Sequence, residues 1–205
     1  RLPREAAYGV FELGMNHPGE IDGLSRLVRP DIGLITTVEA THLGFFPSVE
    51  AIADAKAELF NGMAPQGAAI RNQDNQHFAR LAAAARAHGL HRIIGFGADA
   101  GAAARLLQCH IEATASAVTA AILGEIVDYS VAIPGRHWVM NSLAVLAAVK
   151  LAGGDLAAAA KAMATLEPMD GRGRRHRIAR RGGSITLIDE SYNASPASMR
   201  AALAV

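Results

Sequence analysis

Lys56 falls on the apolar side of a helix predicted from Val49 to Phe60, fourteen residues after His42. At about 100° per residue, Val49, Ile52, Ala53, Lys56, Leu59 and Phe60 share one arc, and Glu50, Asp54 and Glu58 share another. An ammonium group is costly to bury without a partner. Such a lysine either snorkels to water along its stem or enters the fold in altered chemical form. Glu12 and His42 each follow an apolar run with strand character. Oxygen ligands at strand ends are what a magnesium-nucleotide site in a parallel sheet requires, because the loops there converge on one crevice. Residue type alone leaves Glu12 as either a ligand or a charged strand end, and His42 as either a ligand or a hydrogen-bonded structural histidine. Gly14 permits a close turn directly after Glu12.

These residues need a scaffold to hold them. Ala7 to Leu13 and Asp31 to Val38 are short apolar runs rich in strand formers, and Gly19 to Val28 between them has helical spacing, with Ile21, Leu24, Leu27 and Val28 on one side. The Lys56 helix, a strand at Ala68 to Arg71, a helix from Asn75 to Ala87 and a strand at Ile93 to Phe96 continue the alternation. That order predicts an α/β fold, a mostly parallel sheet flanked by helices. Beyond Gly101, the segments Ala104 to Ala113, Ala117 to Leu123 and Glu125 to Ile133 are expected as the strands of an antiparallel appendage. Pro134-Gly135 then breaks the chain before helices at Trp138 to Leu151 and Leu156 to Leu166. Glu167-Pro168 is the expected domain boundary, giving residues 1–167 and 168–205. In the second part Arg174 to Arg180 and Ser184 to Asp189 form a hairpin through Gly182-Gly183, and a helix opens at Ala197, the start of a second α/β domain.

The 205 residues, 51% hydrophobic, suffice for a real core. With 20 basic against 19 acidic residues, the chain as a whole is not built to bind a polyanion. Six arginines nevertheless crowd between Arg172 and Arg181. Their spacing reads as the exposed face of a hairpin, and the strip lacks the interleaved aromatics of a nucleic-acid surface. The single cysteine, Cys109, forms no internal disulfide, which fits the cytoplasm. No apolar run reaches membrane-spanning length, since Lys150 interrupts the longest. The chain opens without methionine and stops inside a helical pattern, so both ends are expected to be cut from a longer protein.

Several segments together resemble a known family. Phe11-Glu12-Leu13-Gly14-Met15-Asn16-His17-Pro18-Gly19-Glu20-Ile21, Ile35-Thr36-Thr37-Val38 with His42, and Ala53-Asp54-Ala55-Lys56-Ala57-Glu58 are similar to the central domain of the Mur ligases. Pro134-Gly135-Arg136-His137-Trp138-Val139-Met140-Asn141 resembles that domain's adenine-contacting helix start. Gly171-Arg172 and Ile188-Asp189-Glu190-Ser191-Tyr192-Asn193-Ala194 resemble the opening of its C-terminal domain. The Glu12 and Glu190 segments favour the branch that adds D-alanyl-D-alanine.

The resemblance implies an ATP-dependent amide ligase of peptidoglycan-precursor synthesis, joining D-alanyl-D-alanine to UDP-N-acetylmuramoyl-tripeptide through an acyl phosphate. It implies ATP and Mg2+ as cofactors, with a carbamylated Lys56, Glu12 and His42 as metal ligands, Lys56 and His42 also serving catalysis. Asn141 and His137 fall at the adenine, Arg172 at the phosphates and Glu190 at the ribose. No nucleic-acid partner and no membrane insertion are expected, and the protein is expected to be a monomer. Thr37, Trp138 and Ser195 depart from the family pattern, Trp138 at the adenine contact itself. The chain contains no Gly-x-x-Gly-Lys-Ser/Thr loop, which in the family lies before the strand ending at Glu12, so this piece alone is expected to be inactive. The rival readings are another amide ligase of the superfamily, such as a sister Mur ligase or a folylpolyglutamate synthase, and a non-catalytic module using the arginine strip.

Overall fold

A computed structural model describes residues 3–41, 43–192 and 194–204, apart from the side chain of Ala197. His42 and Asn193 lie outside the described residues. The chain divides into two units, Arg1–Ala69 with Gln76–Ile93, and Ile70–Asn75 with Ile94–Val205.

In chain order the first elements are α1 (Glu20–Val28), β1 (Ile32–Ile35), α2 (Val49–Ala57), β2 (Ala68–Asn72), α3 (Phe78–Ala87) and β3 (Arg92–Gly97). Then follow β4 (Ala104–Ile111), β5 (Ser116–Ile122), β6 (Glu125–Val131), α4 (Arg136–Leu151) and α5 (Leu156–Ala162). The chain closes with β7 (Arg174–Arg180), β8 (Gly183–Asp189) and α6 (Pro196–Leu203). Six strands make one sheet in the order β1-β2-β3-β4-β5-β6. Helical segments connect β1 to β2 and β2 to β3, the crossovers that parallel neighbours require. β3 pairs with β4 in parallel, whereas β4, β5 and β6 are antiparallel. The strands expected as an appendage therefore continue the main sheet, joined to it through β4. The β7–β8 hairpin forms a separate antiparallel sheet, turning at Gly182 with φ +88°.

One expected strand is missing. Residues Ala7 to Leu13 form no ladder in either sheet, and Val10 is 97% exposed. Strand-forming residues make a strand only where a neighbour accepts their ladder hydrogen bonds. The segment still carries alternation at its end: Leu13 and Met15 pack on the core of the first unit, while Glu12 and Gly14 are exposed.

That core is built from Ile21 of α1, Ile35 of β1, Ile52, Ala53 and Ala55 of α2, and Leu81 and Ala85 of α3, with Phe60 and Leu90 fully buried among them. α2 starts cleanly, because the Ser48 hydroxyl accepts from the Ala51 amide at 3.2 Å. It stops earlier than periodicity predicts: at Glu58 the chain tightens into a 3-10 turn, Glu58–Gly62. This turn lies hard against α1. A Cβ at Gly62 would fall 2.1 Å from the Ser25 carbonyl oxygen, so only glycine fits there. The buried Ser25 hydroxyl donates to the Leu59 carbonyl and accepts from the Gly62 amide at 3.1 Å.

In the second unit, α4 buries Val139, Ser142, Leu143, Ala144, Leu146 and Ala147. The Tyr129 hydroxyl of β6 lies 2.7 Å from Ser142 Oγ, and the Ser142 hydroxyl donates to the Val139 carbonyl at 2.7 Å. Since a serine hydroxyl has one proton, Tyr129 is the donor in the first of these bonds. Lys150 near the end of α4 donates to the Ile122 and Leu123 carbonyls at 3.2 Å each and to Glu125 Oε1 at 2.5 Å, pinning the helix to the β5–β6 turn. Among the described residues, no helix is long and apolar enough to cross a membrane.

Candidate functional site

Lys56 sits in the last turn of α2 between the buried residues Ala55 and Ala57. Its own side chain is half-buried, and among the described residues its ammonium has no hydrogen-bond or ion-pair partner. Burial pushes its pKa down, because the cation loses water and gains nothing in return. The contrast within the same helix is sharp: Asp54, two residues away on the outer side, is held by both Arg80 Nε at 2.6 Å and Arg80 Nη2 at 2.7 Å. The helical arc drawn from sequence is right for Ile52, Ala53, Leu59 and Phe60, all buried, and for exposed Glu50 and Asp54.

Glu58 departs from that arc. The change to a 3-10 turn swings it toward α1, whose N-terminus opens at Gly19 in the left-handed region (φ +88°) with no side-chain cap of its own. The Glu58 carboxylate supplies it from outside, accepting from the Gly19 amide at 2.7 Å and the Asp22 amide at 3.1 Å. The preceding turn is fixed by Glu20, which accepts from the Asn16 and His17 amides at 2.7 and 3.2 Å. These bonds hold the Glu20 carboxyl below the usual range. Glu12, four residues ahead of Asn16, is exposed, and its side chain has no hydrogen-bond partner among the described residues.

A carboxylate with free oxygens, and a lysine whose carbamate would add more, are the hard donors that magnesium takes, so their chemistry fits that ion. Among the described residues, however, no three histidine, cysteine, aspartate or glutamate side chains cluster as a metal site. The His42 expectation falls on a residue outside those described.

Two further groups form in the second unit. His137 and Asn141 lie one turn apart on the same side of α4, both part-buried. Burial pushes the His137 pKa down, so the ring is neutral near pH 7, with one nitrogen free to accept. The Asn141 amide has no partner among the described residues. Trp138 lies against His137, with ring centroids 5.7 Å apart.

Arg172 and Glu190 lie at the open end of the β7–β8 hairpin, just before β7 and just after β8. Arg172 is flanked by Gly171 and Gly173 at φ +74° and +84°. A Cβ at Gly171 would strike Tyr192 Cβ at 2.6 Å, and one at Gly173 would lie 3.3 Å from Glu190 Oε1. Asp189 accepts from the Gly171 and Ser191 amides at 3.1 Å each. Hydrogen bonds from Ser191 and from the Gly171 amide lower its pKa. Burial, with the neighbouring Asp189 charge, raises that of Glu190. The Arg172 guanidinium stacks on the Tyr192 ring, 4.9 Å from its centroid. Sequence reasoning missed Glu58 and Tyr192. The capless Gly19 before α1 was the available signal for the first.

Residues 1–149 match the Mur ligase middle domain, and the chain belongs to that family. The UDP-N-acetylmuramoyl-tripeptide--D-alanyl-D-alanine ligase of Rickettsia prowazekii is 32% identical to it, over 97% of this chain and 43% of that protein. Among solved structures, MurF from Acinetobacter baumannii superposes with a TM-score of 0.87 at 30% identity, covering 98% of this chain and 42% of that one. MurF from Thermotoga maritima, solved in complex with ADP, shares the fold with a TM-score of 0.76 at 20% identity, over 91% of this chain and 41% of that one. The chain thus spans about two fifths of the length of the relatives it matches.

Proposed function

We propose that this chain carries the nucleotide-binding part of an ATP-dependent amide ligase that joins D-alanyl-D-alanine to UDP-N-acetylmuramoyl-tripeptide in the cytoplasm, as a monomer. The observation that carries the reading is Lys56, a half-buried ammonium with no partner among the described residues and a lowered pKa. A carbamate forms only on a neutral amine, and burial favours the neutral form. Modification replaces an uncompensated cation with an anion. Lys56 as its carbamate, Glu12 and His42 are the residues that would hold magnesium. When bound, that ion offsets phosphate charge during phosphoryl transfer.

The other residues then divide the nucleotide between them. Asn141 offers a donor and an acceptor to the adenine edge, and neutral His137 stands beside it on the same face of α4. Arg172 supplies a fixed positive charge for the phosphates, and Glu190 an acceptor for the ribose hydroxyls. In the reaction, the tripeptide's terminal carboxylate takes the γ-phosphoryl group of ATP. The dipeptide's amine attacks the resulting acyl phosphate, and phosphate leaves as the amide forms. The ADP found with the Thermotoga maritima relative supports the nucleotide part of this reading.

The test is Lys56→Ala in the full-length protein, assayed for amide product with ATP, the UDP-linked tripeptide and D-alanyl-D-alanine. Loss of activity that a short carboxylate restores is the expected result. Undiminished activity, or a loss that no carboxylate repairs, overturns the carbamate role.

A further inference from the structure

We infer that Glu58 is a positioning residue that ties the segment carrying Glu12 to the helix carrying Lys56, an inference that rests on the ligase reading above. Glu58 lies two residues beyond Lys56, where α2 tightens into the 3-10 turn. Both of its carboxylate oxygens are engaged, Oε1 by the Gly19 amide at 2.7 Å and Oε2 by the Asp22 amide at 3.1 Å.

Three observations make this more than a helix cap. First, α1 has no cap of its own: Gly19 has no side chain, so its first-turn amides depend on an acceptor from another element. Second, between Glu12 and Gly19 the chain has few freedoms left. Leu13 and Met15 are seated on the core, and Glu20 holds the Asn16 and His17 amides. A shift of the α1 N-terminus is therefore passed along a short, braced segment to Glu12. Third, the Glu58 anchor is itself rigid, because the turn is locked to α1 by Ser25 and by the close approach at Gly62. With only two methylenes between its Cα and the carboxylate that holds the Gly19 and Asp22 amides, Glu58 sets the spacing of two segments that would each contribute a ligand. The carboxylate also complements the positive end of α1, so a neutral replacement loses charge assistance as well as one bond.

Outer-shell partners bonded directly to a metal ligand typically change metal affinity 10–100-fold when removed, and Glu58, which acts through the α1 amides, belongs at the lower end of that range. The experiment uses the full-length protein with Glu58→Ala and Glu58→Gln, the latter keeping one acceptor oxygen. Two quantities are read: hydrogen exchange of the Gly19 and Asp22 amides without nucleotide, and the free Mg2+ concentration giving half-maximal rate at saturating ATP. Glu58→Ala is expected to speed the exchange and raise the Mg2+ requirement about 10-fold, with most of kcat recovered at high Mg2+. Glu58→Gln should fall between it and the parent.

Faster exchange with an unchanged Mg2+ requirement would show a merely structural cap and overturn the inference. Unchanged exchange would remove its basis. If Glu58→Ala does not fold, the Gln variant decides by the same two readings. Lys56→Ala and the parent run alongside separate the claims: no amide product from the parent sinks the ligase reading, and full activity in Lys56→Ala sinks the carbamate role. An inactive Lys56→Ala beside a Glu58 variant with the parent's Mg2+ requirement sinks only the positioning role.

Discussion

The bond between Tyr129 and Ser142 allows a worked test of how α4 is oriented. Tyr129 is 9% exposed and Ser142 4%, so neither hydroxyl has ready access to water. Tyr129 donates to Ser142, and Ser142 donates onward to the Val139 carbonyl. The two truncations are therefore unequal. Tyr129→Phe removes one bond and leaves the serine hydroxyl still bonded, at a cost of about 1 kcal/mol. Ser142→Ala strands a buried phenol with no acceptor, at about 1–3 kcal/mol. The double variant strands nothing, and should cost less than the sum of the singles by about 1–2 kcal/mol. Equilibrium urea unfolding followed by far-UV circular dichroism measures all three. Ser142→Ala no worse than Tyr129→Phe, or strictly additive singles, would refute the assignment. The same site has a pH signature. Burial pushes the Tyr129 pKa to about 12 from 10.0. Between those values the unfolded chain has released the proton and the folded one keeps it, so stability falls as pH rises. At about 1.4 kcal/mol per unit, the loss approaches 2–3 kcal/mol by pH 12. Tyrosinate absorbance should show a late phase, well above pH 10, that belongs to Tyr129. Tyr129→Phe should remove the late phase.

Three other substitutions test the packing within each unit. Gly62→Ala places a methyl 2.1 Å from a backbone oxygen, which neither element can yield without parting α1 from the turn; a loss of roughly 3 kcal/mol is expected in the same unfolding measurement, and a loss under about 1 would mean that the close approach is not real. Paired lysine substitutions should differ in sign. Lys150→Met breaks bonds to two carbonyls and a carboxylate and should destabilise by about 1–2 kcal/mol, whereas Lys56→Met removes a cation with no partner among the described residues and should be neutral or slightly stabilising.

Elements whose sequence signal is local were legible in advance. The β5–β6 hairpin follows from alternation through Val127, Tyr129 and Val131, with Leu123 and Gly124 at φ +49° and +89° making the tight turn. Gly182 does the same for β7–β8. What could not be read depended on distant partners. Ala7 to Leu13 has strand composition but no ladder, and nothing in its own residues reports that. The early end of α2 belongs to the α1 contact at Ser25 and Gly62, residues 34 and 37 positions from their partners. Lys150 looked like a mere interruption of an apolar helix until the β5–β6 turn supplied its acceptors. Of the candidate site, residue types were legible through family resemblance. The pairing of Arg172 with Tyr192 and of Glu58 with α1 were not, since both cross between elements.

The chain's choice between its basic residues bears on the Lys56 proposal independently of resemblance. Only three of its 20 basic residues are lysines. Where a carboxylate must be gripped in a plane, arginine is used, as in the two-pronged contact of Arg80 with Asp54. At Lys150 three acceptors converge from two carbonyls and a side chain, which a compact ammonium with three donors can satisfy and a planar fork cannot. Position 56 offers neither a carboxylate nor converging carbonyls among the described residues. Packing alone would be served better there by leucine or methionine, and charge alone by arginine. A lysine has one property those residues lack: burial lowers its pKa and so favours the neutral, nucleophilic amine. Lys56→Arg therefore separates the explanations. It keeps the positive charge and a long stem, and full activity in that variant would rule the carbamate out.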